Sequence, residues 1–131
     1  MKKPSSGELG EKIVGQWLES QGYVIRNYRW RCRWGEIDII AEDRTNNTLV
    51  FVEVKTRQYS SNNWDEGGLT AVSLAKQKKI YQTAQLFLAQ YPELADFYCR
   101  FDVALVAYKQ DKDKVKLIIK DYLKNAFEAV E

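Results

Sequence analysis

Residues 49–56, Leu-Val-Phe-Val-Glu-Val-Lys-Thr, constrain the fold more than any other stretch of this 131-residue chain. Side chains alternate along a strand, so Leu49, Phe51, Glu53 and Lys55 share one face while Val50, Val52 and Val54 share the other. Both faces are apolar, the pattern of a strand covered on both sides in the middle of a sheet. An acid and a base in such a run are costly unless they are paired, hydrogen-bonded or bound to metal.

The flanking segments supply the rest of an α/β domain. Residues 7–21 read as a helix: Leu9, Ile13, Val14, Trp17 and Leu18 follow the helical period, Ser5 or Ser6 can cap it and Gly22 stops it. Strands are expected over 23–33, 36–42 and 48–57, with turns at Trp34-Gly35 and 43–47. A polar loop (58–68), a long helix (70–91), a fourth strand (100–108), a fifth (115–119) and a short terminal helix (123–127) complete the reading. The first three strands can meander antiparallel, whereas the third must reach the fourth by crossing over through the long helix, which makes that pair parallel. The expectation is one domain over 1–131, a mixed central sheet flanked by helices, with the third strand in its middle.

Composition excludes several classes. With 45% hydrophobic and 29% charged residues the chain is an ordinary globular one, not a disordered or fibrous one. No run approaches the roughly 18 apolar residues of a membrane span, and the first residues do not build a signal-peptide core, so a cytoplasmic protein with no membrane partner is expected. There is no histidine, and Cys32 and Cys99 stand alone, which rules out zinc-finger ligation and histidine-based triads. The net charge is only +2, but Arg26, Arg29, Arg31 and Arg33 recur without an intervening acid among Tyr28, Trp30 and Trp34, and Lys76, Lys78 and Lys79 form a second cluster. Either set could contact phosphates; a solvated face of an edge hairpin reads equally well.

Further polar residues converge on the central strand. In residues 36–40, Glu-Ile-Asp-Ile-Ile, alternation puts Ile37 and Ile39 on one face and Asp38 with Ile40 on the other, beside Glu53 if the hairpin closes near Asn46 and Asn47. At about 100° per residue, Glu11 falls about 20° beyond Leu18, at the margin of the first helix's apolar stripe. On the second helix Leu74, Tyr81, Ala84, Leu88 and Tyr91 form the expected buried stripe, with Gln77 inside it. Convergent carboxylates of this kind hold Mg²⁺ or a similar hard cation, and a neighbouring lysine can steady phosphorane charge or orient an attacking water. The alternative is a structural ion pair within the sheet. Arg100 and Asp102 read as a cross-strand pair, and Trp64, Asp65 and Glu66 either as a substrate-covering loop or as an ordinary exposed one.

Asp38 followed by Glu53-Val54-Lys55 on the next strand, after a helix bearing Glu11, resembles the signature of the PD-(D/E)XK, or restriction-endonuclease-like, nucleases. Gly7-Glu8-Leu9-Gly10-Glu11 is similar to the Gly-x-x-x-Glu helix of archaeal Holliday-junction resolvases in that superfamily. Gly-Glu-Ile-Asp-Ile-Ile at 35–40, Val-Phe-Val-Glu-Val-Lys-Thr-Arg at 50–57, Lys76-Gln77, Arg100-Phe101-Asp102 and Asn125-Ala126-Phe127 resemble the bacterial YraN family over nearly the whole chain. The resemblance implies a restriction-endonuclease-like core. It makes Asp38 and Glu53 metal ligands with the Val54 carbonyl, Lys55 the catalytic lysine and Glu11 the helix-borne acid. Gln77 and Tyr81 match a Gln-x-x-x-Tyr element that positions substrate, while Ile37 replaces the motif's nominal proline.

The expected function is metal-dependent phosphodiester hydrolysis with Mg²⁺ or Mn²⁺ on nucleic acid, DNA foremost, with branched or damaged structures among the candidate substrates. The Arg26 to Arg33 stretch and Lys76 would contact the backbone, and a C₂ homodimer would suit symmetric cleavage. Two rivals are a non-catalytic nucleic-acid-binding or assembly factor, and a protein-interaction module using Trp30 and Trp34.

Overall fold

A computed structural model describes residues 3–59 and 72–128. Its elements are α1 (Ser6–Ser20), β1 (Val24–Cys32), β2 (Gly35–Asp43), β3 (Thr48–Gln58), α2 (Leu74–Gln90), β4 (Tyr98–Asp111) and β5 (Lys114–Phe127), with a 3₁₀ turn at Pro92–Leu94. The expected residues Trp64, Asp65 and Glu66, and the start of the long helix at residue 70, lie outside the described residues. Within them, the Ser73 hydroxyl caps α2 by accepting the Lys76 N–H at 3.2 Å, and Ser5 caps α1 by accepting the Glu8 N–H at 3.1 Å.

The five strands are ordered β1-β2-β3-β4-β5, antiparallel except for the parallel pair β3 and β4, so β3 is the middle strand as its two apolar faces require. One face packs Val50, Val52, Ile39, Ala104 and Val106 against Val14 and Leu18 of α1. The other packs Phe51, Leu49, Ile40 and Val103 against Ile80, Ala84 and Phe87 of α2. The result is an α/β/α layering compatible with a restriction-endonuclease-like core. Among the described residues no helix is long and apolar enough to cross a membrane.

Three expectations are corrected. Residues 123–127 are strand rather than helix: Leu123 pairs with Val103, and Phe127 pairs with Phe101 and stacks on its ring at 5.3 Å. The buried side of α2 is Ile80, Thr83, Ala84 and Phe87, while Leu74 is 61% exposed, because the helical period turns Ile80 and Phe87, seven positions apart, onto the sheet and leaves Tyr81 and Leu88 on the flank. Arg100 and Asp102 pair along one strand, not across two, since residues two apart on a strand share a face.

Candidate functional site

The sheet forks where β2 leaves β3. Their ladder ends at Ile39 opposite Val52, and continuing it would set Val54 against Ile37. Instead the Val54 N–H donates to Asp38 Oδ2 at 2.8 Å. The pleat of β2 breaks at the same point. Ile37 joins the core on the α2 side and Ile39 the core on the α1 side, so the expected shared face of these two isoleucines is overturned. Opposite the break, Arg29 of β1 has φ of 54°, a left-handed conformation in which strand alternation is lost.

Three carboxylates from two elements meet at this fork. Glu11 of α1, Glu36 at the start of β2 and Asp38 each place an oxygen within 4.8 Å of the others. Glu11 is brought there by the close seating of α1 on β3: a Cβ at Gly10 would collide with the Thr56 side chain, and a Cβ at Gly15 with Tyr28. Glu11 is buried and accepts a 2.7 Å bond from Arg29 Nε. Burial pushes its carboxyl up, opposed by Arg29 and reinforced by Asp38. Burial and the charge of Glu53, helped by Glu36, push Asp38 up to about 7 against the Val54 N–H and Lys76.

Glu53 is buried on β3 beside Asp38, and its carboxylate faces cations: Lys55 Nζ at 3.5 Å and Lys76 Nζ, from the first turn of α2, at 3.9 Å. Of the acids expected from the sequence, Asp38 and Glu11 share this close group, whereas Glu53 lies outside it on the β3 side, paired with Lys55 and Lys76. Glu36 is an addition, legible only as the acid two positions before Asp38. In an extended strand a residue's N–H and C=O point to the same neighbour, so the Val54 carbonyl faces the fork as well. Bonds of about 2.0 to 2.1 Å around Mg²⁺ put opposite oxygens about 4.2 Å apart, so the three-acid group needs little closure to fit a hard cation.

The other candidates are placed differently. Gln77 Nε2 donates to the Val72 carbonyl at 3.1 Å, fixing the start of α2, and Tyr81 packs edge-on to Phe101 at 6.3 Å while its hydroxyl accepts from Gln85. The arginines that stand apart from acids in sequence meet them in space: Arg26 with Glu42 at 3.1 Å, Arg29 with Glu11, and Arg31 with Glu36 at 2.7 Å. Arg33 lies over the Trp34 ring at 4.7 Å. Trp30 is partly buried and packs edge-on against Phe87 of the core at 5.3 Å.

A relative from Synechococcus sp. (strain JA-3-3Ab), a UPF0102 protein, is 50% identical over 125 residues, covering 95% of this chain and 92% of its own length. The UPF0102 protein alr1796 of Nostoc sp. (strain PCC 7120) is 49% identical over 132 residues, with 93% of each chain covered. The family model described as uncharacterised protein family UPF0102 matches residues 10–106, from the glycine that seats α1 to the parallel strand β4. The chain therefore belongs to uncharacterised protein family UPF0102, the YraN family that its motifs resemble.

Proposed function

We propose that this protein is a metal-dependent nuclease that hydrolyses phosphodiester bonds in nucleic acid, DNA before RNA. One observation carries the reading. At the fork, the Asp38 carboxylate takes the N–H that would have continued the ladder, with two further carboxylates within 4.8 Å and the Glu53, Lys55 and Lys76 group alongside. A fold stabilised only by ion pairs has no need to crowd acids where two strands part.

Asp38 and Glu11 would hold the cation, with Glu53 and the Val54 carbonyl on the β3 side and Glu36 adding charge. A bound Mg²⁺ or Mn²⁺ supplies Lewis acidity and a water activated for attack on phosphorus. The Val54 N–H fixes the Asp38 carboxylate at the fork. Arg29 acts as a positioning residue, holding Glu11 against the sheet. Lys55, held within 3.5 Å of Glu53, is placed to steady negative charge on a phosphate entering there. The test is cleavage of linear, flapped and branched DNA, and of RNA, by purified protein with Mg²⁺ or Mn²⁺. Cutting that is lost in both Asp38→Asn and Lys55→Ala is expected, and no cutting of any substrate sinks the reading.

The internal pairing of Glu11 with Arg29 and of Glu53 with Lys55 favours a second reading, a non-catalytic nucleic-acid-binding factor that keeps these charges for stability. It predicts binding that weakens with salt and is indifferent to divalent metal and to Asp38.

A further inference from the structure

The sheet face that carries Glu53 and Lys55 continues outward. Across the strands, Lys55 lies beside Leu105 and Arg57 beside Ala107, while on β5 Ile118 stands opposite Ala107 and Lys116 opposite Lys109. Tyr59, Ala107, Lys109, Lys116, Ile118 and Lys120 line a concavity of about 320 Å³. Its floor is apolar and open: Ile118 is 61% exposed and Tyr59 44%. Tyr59 is tied in place by its N–H to the Tyr108 carbonyl at 2.8 Å, and Lys120 Nζ lies 6.0 Å from its ring centre.

Two features set this concavity apart from a solvated face. Lys109 and Lys116 are direct cross-strand partners, an arrangement that costs stability and that an anion between them relieves. The pleat also sorts the charge. The opposite face of the same ladder is Val106, Tyr108 and Gln110 against Ile119, Leu117 and Val115, with no cation at all. The β1 arginines, by contrast, are taken up by acids.

We propose that this groove carries one unpaired nucleic-acid strand, its phosphates on Lys109 and Lys116 and a base stacked on Tyr59, leading along β3 past Lys55 to Glu53, about 20 Å from Tyr59. The inference rests on the nuclease reading for the destination of the strand. An exposed ring on an apolar floor suits a base that is free to unstack, which a duplex does not offer.

The test is fluorescence anisotropy with labelled oligo(dT) in EDTA, so that binding is read without cutting. Lys109→Gln with Lys116→Gln is expected to weaken binding about tenfold or more and to flatten the log-log salt slope by about 1.4. Tyr59→Ala is expected to cost about tenfold at constant salt slope. Lys3→Gln with Lys124→Gln, the same charge change at two exposed lysines outside the groove, is expected to stay within about twofold. The inference is overturned if the wild type binds no oligonucleotide, if the groove variants bind like wild type, or if the Lys3 and Lys124 variant weakens binding as much as they do. Wild type that binds through the groove but cuts nothing with Mg²⁺ or Mn²⁺ leaves the groove standing and removes the nuclease reading. Cutting that survives in groove variants of unchanged affinity does the reverse.

Discussion

Two aspartates, two strands apart in one sheet, show how neighbours decide what an acid does. Asp102 is fully buried and completely satisfied: Arg100 Nε and Nη2 donate to it at 2.9 and 3.0 Å, the Tyr122 hydroxyl at 2.6 Å and the Asn125 N–H at 2.9 Å. Its removal leaves the half-buried Arg100 charge without a counter-ion and the Tyr122 hydroxyl and Asn125 N–H without their acceptor, so Asp102→Ala is expected to lower unfolding free energy by about 3 to 5 kcal/mol in urea titration. Asp38 receives one N–H and faces other carboxylates. Its folded pKa of about 7 lies above the ordinary 3.8, so the folded state binds the extra proton, and stability is full below pH 3.8 and declines as pH rises through 7. Asparagine keeps the acceptor and does not titrate. In metal-free protein Asp38→Asn is therefore expected to match wild type near pH 4 and to exceed it by about 1 to 3 kcal/mol above pH 7. A variant equal to or weaker than wild type at high pH contradicts the crowding of charge at the fork.

At the scale of elements, α1 delivers Glu11 only because Gly10 lets the helix sit on Thr56. Gly10→Ala must push the helix outward or displace Thr56, which is expected to cost about 1 to 3 kcal/mol despite the better helix propensity of alanine, measured as a fall in Tm. Much of this layer is legible from periodicity: α1, the three-strand meander and the parallel crossover all follow from apolar spacing and turn residues. The end of β5 is not, and the reason is physical. The β4 to β5 register shifts between Phe101 and Val103 and between Leu105 and Val106, and Asn125 within β5 has φ of 52°. Bulges destroy the period of two. They leave Leu123, Ala126 and Phe127 at the i, i+3, i+4 spacing of a helix. Asp38 is legible as an acid of the site, but the break in the pleat at it is not: the sequence shows an alternating strand, while in the fold Ile37 and Ile39 join different cores opposite the left-handed Arg29. Charge pairing is hidden by separation along the chain, since Arg26 and Glu42 are 16 residues apart and Arg29 and Glu11 are 18.

Over the whole molecule, the fork gathers residues from four elements that have no reason to lie together in an unfolded chain: Glu11 from α1, Asp38 from β2, Glu53 from β3 and Lys76 from α2. A cation held there binds the folded state and scarcely the unfolded one, so it adds RT ln(1 + [M]/Kd) to global stability, about 2.7 kcal/mol at a hundredfold excess over Kd. For a chain of this size that corresponds to a rise in Tm of roughly 6 to 12 °C. Ion pairing at the fork sets a competing outcome, because Arg29 and the two lysines already answer part of the acidic charge, and a purely structural cluster gains nothing from metal. Saturating Mn²⁺ is accordingly expected to raise the Tm of wild type by that amount, to raise that of Gly10→Ala less at equal metal because Glu11 is displaced, and to leave Asp38→Asn almost unmoved. Equal shifts in all three place the metal elsewhere, and no shift in wild type makes the fork an ion-pair lattice.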